Sequence, residues 1–432
     1  MSRASFALLI SAVSVTVFTS VGRPARAADR NDDGALGRTI MVPFDHKSSA
    51  VPGTGPLYFQ FGARFDASKP TVLIVADGQQ YYVRKGSIAK MQKDLFGDAF
   101  NVVGIVTRGT TPEFIKAALD KDGRPDWMKA WIVFNSDQWV ADIDAVRKNL
   151  VGENGSIMLY GKSGGAYLVQ HYLTKHGASV KRAFIESPFN PFISRELGIE
   201  IDTYWRDLGA RDMHLQPILR KALEQKPEDR IRMLIALQRQ HFYEPVDNLP
   251  EARRKLIRAL AEGDTGHYKK CRKKYEVDAV MDLYAADEGI PQRVRIIEFF
   301  GPTGEFQRLG KEAVLPLVEQ AHHFSKPLLA LLDAGKIPAP TFDFAVNHRL
   351  ETEVFLLGCA QDGAVDYRTT IAVAHTYPRH QLFIANDNHL LMAMVSDGSR
   401  NRILRAFLAE GPDSAAYQDA LSAAQSHRWT KY

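Results

Sequence analysis

One stretch constrains this chain more than any other. Residues 156–160, "SIMLY", are a short, mostly apolar run that reads as a buried strand. The chain then passes through Gly161, Lys162, Ser163 and Gly164 into "GAYLVQHYLTKHG". There Ala166, Leu168, Val169 and Tyr172 recur at helical spacing, and Gly177 stands where a helix C-cap is favoured. A strand that turns into a helix within so few residues must bend sharply at the serine. Its neighbours at −2 and +2, Gly161 and Gly165, are small, as close approach of strand and helix requires. The same letters contain G-K-S, the end of a phosphate-cradling loop. That reading fails, because the residue five before Gly161 is Ser156 rather than glycine, and the intervening backbone reads as extended.

The rest of the chain alternates around this turn. Strand candidates are "RTIMVPFD" (38–45), "PLYFQFGARFD" (56–66), "TVLIVADG" (71–78), "FNVVGIVTRG" (100–109), "VKRAFIESPF" (180–189), "TEVFLLG" (352–358) and "HQLFIA" (380–385). Several are continuous apolar runs, the pattern of parallel strands covered on both faces. Helical patterns lie between them, at 141–150, after 366 and around 400–411. The expected class is α/β, a mostly parallel sheet flanked by helices. The alternation breaks near Pro191. From 193 to 347 the chain is charge-rich and helical, with "QPILRKALEQ", "DRIRMLIALQRQ", "EARRKLIRALAE" and "AVLPLVEQAHHF". The expected organisation is a sheet domain over 28–192 and 348–432, interrupted by a helical cap over 193–347.

Residues 1–27 read as a secretory leader, with Arg3, an apolar run from Phe6 to Val21 and "ARA" at 25–27. An exported protein, periplasmic or secreted, is expected, without stable membrane insertion. The formal charge of +5 falls to +2 once Arg3, Arg23 and Arg26 leave with the leader, too little to argue for nucleic acid. "HYKKCRKKY" (267–275) reads as a solvated helix face. "DRNDDG" (29–34) begins like a calcium loop, but its twelfth position is Ile40, and it reads as a flexible mature N-terminus. Cys271 and Cys359 could pair after export or stay as free thiols.

A serine hydroxyl needs a base to activate it and an acid to orient that base. Ser163 is the expected nucleophile. Asp362 is the first acid after the strand at 352–358, and His389 lies in the loop after the strand at 380–385. Asp366 reads as a helix cap, and His375 and His380 as a helix residue and a strand-edge residue. His322 and His323 are adjacent and cannot share a helix face, and no H-E-x-x-H occurs, so no metal or cofactor is expected. The expected oxyanion donors are the backbone N–H of Gly164 and one from Gly78 or Gln79.

These residues together resemble the α/β-hydrolase superfamily over nearly the whole mature chain. "VPFDH" (42–46), "VTRGTTP" (106–112), "DIDAVRKNL" (142–150) and the late helical block are similar to exported proline iminopeptidases and tripeptidyl aminopeptidase-like serine peptidases. The resemblance implies an eight-stranded-type sheet with a cap after the sixth strand, and the triad Ser163, Asp362 and His389. It also implies cleavage of short peptides from the N-terminal end, with cap carboxylates such as Glu244 or Glu262 holding the substrate amine. The chain departs from those peptidases beside the reaction centre. "ADGQQYY" (76–82) stands where an H-G-G-P-G-like loop is usual, and Gly164 stands where the elbow often carries Trp or Tyr. The same machinery would serve an esterase on small or medium acyl esters, or remain as a silent binding fold.

Overall fold

The computed structural model describes residues 36–77, 87–310 and 314–430. The leader, "DRNDDG", Gly78 and Gln79 lie outside them. Eight strands form one sheet in the order β1-β2-β4-β3-β5-β6-β7-β8. They are β1 Gly37–Pro43, β2 Thr54–Phe61, β3 Thr71–Val75, β4 Asn101–Ile105, β5 Ile157–Lys162, β6 Val180–Glu186, β7 Glu353–Cys359 and β8 His380–Ala385. β2 runs antiparallel to both β1 and β4, and every other pairing is parallel. This is the α/β-hydrolase fold. All eight sequence-predicted strands are present. The main difference is at β5, which continues through Gly161 and Lys162 before it turns.

The central strands alternate their side chains between two cores. Leu73, Val75 and Leu159 pack to one face, and Val72, Ile74 and Met158 to the other. The first of these faces is covered by α1 Trp127–Phe134, α2 Ser136–Val151 and α3 Gly164–His176. The helical block follows, with α4 Leu215–Gln225, α5 Arg230–Tyr243, α6 Leu249–Glu262, α7 Thr265–Lys274, α8 Ile290–Phe300 and α9 Pro316–Asp333. After β7 come α10 Tyr367–Ala374 and, beyond β8, α11 Ser399–Glu410. The helical block has its own apolar cluster, in which Leu219, Leu234, Leu256 and Val318 are fully buried. Helix α8 joins the two bodies: Ile290, Val294 and Ile297 pack into the sheet core, whereas Ile296 and Phe300 pack into the helical one.

The segments 42–46, 106–112 and 142–150 meet in one buried clamp. Arg108, fully buried after β4, donates from Nε and Nη2 to the two oxygens of Asp142 on α2, each at 2.7 Å. Its Nη1 donates to the carbonyls of Phe44 at 2.9 Å and Val133 at 2.7 Å, and His46 Nε2 lies 2.9 Å from the same carboxylate. A bidentate guanidinium–carboxylate pair with its remaining donors satisfied locks β1, β4 and α2 together. Both cysteines are free thiols, Cys271 on α7 and Cys359 at the end of β7. No helix among the described residues is long and apolar enough to cross a membrane.

Candidate active site

Ser163 sits between β5 and α3 with φ 54° and ψ −119°, a conformation that residues other than glycine rarely adopt. Such a residue costs about 1–3 kcal/mol and persists only where its surroundings fix it. Here they do. The Ser163 N–H donates to the Glu186 carbonyl at 2.9 Å, and its own carbonyl accepts from the N–H of Tyr167 at 3.2 Å. Gly161 is sterically required: a Cβ there would lie 2.6 Å from Val169 Cγ2 and 2.7 Å from the Gly165 carbonyl oxygen. Gly164 is required as well, for a reason the sequence does not disclose. Its Cβ would fall 1.7 Å from Oδ2 of Asp77, a buried carboxylate just beyond β3.

The loops after β7 and β8 bring Asp362 and His389 together. His389 Nδ1 lies 2.7 Å from Asp362 Oδ2, and both side chains are about 1% exposed. The other oxygen, Oδ1, accepts from the N–H groups of Ala364 at 2.8 Å and Val365 at 2.9 Å. Burial pushes the Asp362 carboxyl up, but the charge and hydrogen bond of His389 and the two N–H donors outweigh it. The group is held below its ordinary value and stays ionised. The His389 loop is itself fixed: Asp387 Oδ2 accepts from Ala393 N at 2.9 Å and Met394 N at 3.1 Å. Two rings from α5 lean on His389, with centroids 5.4 Å away for Phe242 and 6.4 Å for His241. Burial, then the neighbouring His389 charge, lower His241 to about 3 and keep it neutral.

Ser163, Asp362 and His389 therefore follow β5, β7 and β8 at the carboxyl edge of one sheet. The competing candidates are used elsewhere. Asp366 caps α10 through Arg368 N and pairs with Arg206 and Arg368. His375 is the C-cap of α10, with its ring near that of His380, the first residue of β8. His322 and His323 line an open depression on the helical block rather than the cavity at Ser163. Of the expected oxyanion donors, Gly164 opens α3, while Gly78 and Gln79 lie outside the described residues.

Ser163 and Gly164 open onto a cavity of about 200 Å³ roofed by the helical block. Its walls are chiefly apolar, with the rings of Phe189, Phe242, Phe299, Phe300, Phe324 and Tyr284 among aliphatic side chains, and its polar lining beyond Ser163 is Gln238, Arg239 and Gln320. No described lining residue is an acid. Glu244 accepts instead from Lys274 and Tyr275, and Glu262 is exposed at the end of α6. Neither expected amine-holding carboxylate reaches the cavity. Sequence reasoning also missed what lies beneath the turn. Lys162 is buried with Nζ 3.8 Å from Glu186, and Arg400 Nε donates to the same carboxylate at 2.6 Å. Burial lowers the lysine despite that acid, whereas the two cations overcome burial and keep Glu186 below its ordinary range. Only the helical repeat that puts Arg239 and Phe242 on one face of α5 hinted at the cavity wall.

A scan against protein-family models and a search of curated proteins each find no significant match to the chain. Solved structures are distantly similar. Homoserine O-acetyltransferase from Staphylococcus aureus aligns at 13% identity and TM-score 0.45, over 89% of this chain and 99% of its own. Bromoperoxidase from Bacillus anthracis aligns at 14% identity and TM-score 0.44, over 86% and 100%. Esterase RhEst1 from Rhodococcus sp. ECU1013 aligns at 16% identity and TM-score 0.41, over 83% and 96%. At such identities and scores the likeness carries no inference about chemistry.

Proposed function

We propose that the protein is a serine hydrolase that forms an acyl-enzyme on Ser163 and acts on small, largely apolar acyl esters. The observation that supports this best is the buried His389–Asp362 pair at 2.7 Å, on the same sheet edge as a serine in a strained turn. In the proposed cycle His389 Nε2 takes the Ser163 hydroxyl proton as Oγ attacks the acyl carbon, while Asp362 holds Nδ1–H and stabilises the imidazolium. The oxyanion is met by the Gly164 N–H at the start of α3. Collapse returns the proton to the leaving alcohol, and water repeats the sequence to free the acid.

The ester reading is favoured over N-terminal peptide cleavage by the lining of the cavity. A free substrate ammonium entering an apolar pocket needs a carboxylate partner, and the described lining supplies a guanidinium instead. Intact-mass analysis after treatment with a fluorophosphonate tests the chemistry. A single adduct is expected on the wild type and none on Ser163→Ala; an unlabelled, folded wild type would refute an activated nucleophile. A panel of free peptides, N-blocked peptides and esters tests the class. Turnover that requires a free amine would restore the peptidase reading.

A further inference from the structure

Arg239 is the only charged residue among the described residues that line the Ser163 cavity. Its guanidinium is largely held from outside that cavity. Nε donates to the Tyr275 carbonyl, Nη2 donates to the Tyr243 hydroxyl at 2.6 Å, and Glu276 lies 3.6 Å from Nη2. None of these three partners lines the cavity. The group also stacks over the rings of Phe242 and Tyr243, at 5.9 and 5.3 Å from their centroids. Two nitrogens are thus fixed and the plane is set by aromatic faces, so the side chain is pre-organised. Nη1 donates to none of the described residues. Glu276, the one acid beside it, is about one-third exposed, so water screens much of its compensation.

We infer that Arg239 Nη1 is an anion-recognition subsite of the catalytic cavity, and that the preferred substrates carry a carboxylate remote from the scissile carbonyl. This rests on the hydrolase reading above and narrows its substrate class to half-esters of small dicarboxylic acids and acyl compounds of similar shape. The apolar walls take up the methylene chain, and the charge-assisted bond forms beside them, where the lower local dielectric strengthens it. A substrate with an ammonium at that end meets a like charge and is rejected.

Three probes of equal length separate the possibilities: monomethyl adipate, methyl hexanoate and methyl 6-aminohexanoate. Their binding to the Ser163→Ala protein, which leaves them intact, is read by calorimetry. The monoanion is expected to bind about ten- to a hundredfold more tightly than the neutral ester, and the cation more weakly than either. Arg239→Met should close the gap between anion and neutral ester, with Arg239→Lys restoring part of it. Glu276→Gln, outside the cavity, should widen it, which keeps a test in hand if Arg239→Met fails to fold. Equal binding of the three probes, or tightest binding of the cation, overturns the subsite. Because binding is read apart from labelling, the two readings fail separately. A fluorophosphonate adduct without a gap removes only the subsite, and a gap without an adduct removes only the hydrolase.

Discussion

The carboxyl edge of the sheet and the helical block that roofs it are built on different terms. At the sheet edge each candidate group is fixed by main chain. Ser163 is bonded to Glu186, Asp362 accepts from two N–H groups of its own loop, and Asp387 holds the His389 loop. In the roof the groups facing the cavity are side chains on amphipathic helices, placed by a separate apolar cluster and by stacking. Backbone-fixed groups tolerate almost no displacement, which suits bond making. Helix-borne walls can change residue by residue without disturbing the turn, which suits selectivity.

The largest effect should follow from the sheet edge. Ser163→Ala is expected to lower ester turnover by about 10⁴- to 10⁶-fold with the fold retained, and Asp362→Asn by about 10²- to 10⁴-fold, both measured as kcat. A loss below tenfold in either variant would break the comparison at its first term. Gly164→Ala drives a methyl group into Asp77 and should reduce kcat/KM by at least about a hundredfold, with about 1–3 kcal/mol of destabilisation. Denaturant unfolding and steady-state kinetics together check it; a fully active, fully stable variant would show that the crowding at Gly164 is not sustained.

A roof substitution should act more gently and on selectivity. Phe242→Ala removes a ring from the cavity wall and from its contact with His389. It is expected to move the preference toward longer acyl chains, with about a ten- to a hundredfold loss of kcat/KM on short ones. An unchanged chain-length profile would count against the roof as the selective surface.

The smallest effect concerns the roof's own stability. Asp202 is buried and accepts N–H bonds from Tyr204, Leu317 and Val318. Burial outweighs those bonds and pushes its carboxyl up to about 6, above the roughly 3.9 of an unfolded chain. The folded state therefore holds the proton more tightly. That stability is fully present below about pH 4 and is lost as pH rises through about 6. Asp202→Asn should abolish this pH dependence: relative to the wild type its thermal stability should rise by the equivalent of about 1–3 kcal/mol between pH 4 and pH 7.5, on top of a pH-independent cost from turning an amide NH2 toward a backbone donor. A constant difference at both values would contradict the assignment.

The same division explains what could be read in advance. Parallel strands covered on both faces read as continuous apolar runs, so the central strands were legible, as were the turn at Ser163 and the loop positions of Asp362 and His389. The continuation of β5 to Lys162 was not. A lysine inside a strand is tolerable there because Glu186 stands beside it, and that carboxylate also serves Arg400, which arrives from far along the chain on α11. Asp77 against Gly164 was hidden for the same reason, since it joins distant segments with no local periodicity to announce it, and the helical repeat of α5 marked Arg239 as facing with Phe242 without showing that the face lines the cavity at Ser163. Glu244 and Glu262 show the converse. Composition put acids in the helical block, but Lys274 and Tyr275 claim one and solvent the other.

The helical block leaves the sheet after β6 and returns to it at β7, and these strands are hydrogen-bonded neighbours in parallel register from Arg182 opposite Glu353 to Glu186 opposite Leu357. Topologically the whole excursion is one crossover between adjacent strands. Its length can vary at little cost to the sheet, since closing a longer loop costs only slowly more. An exchange of this excursion must keep Ile290, Val294 and Ile297, which pack into the sheet core, and the rings of His241 and Phe242 beside His389; the rest of residues 187–352 is free to vary without breaking the pairing of the two strands.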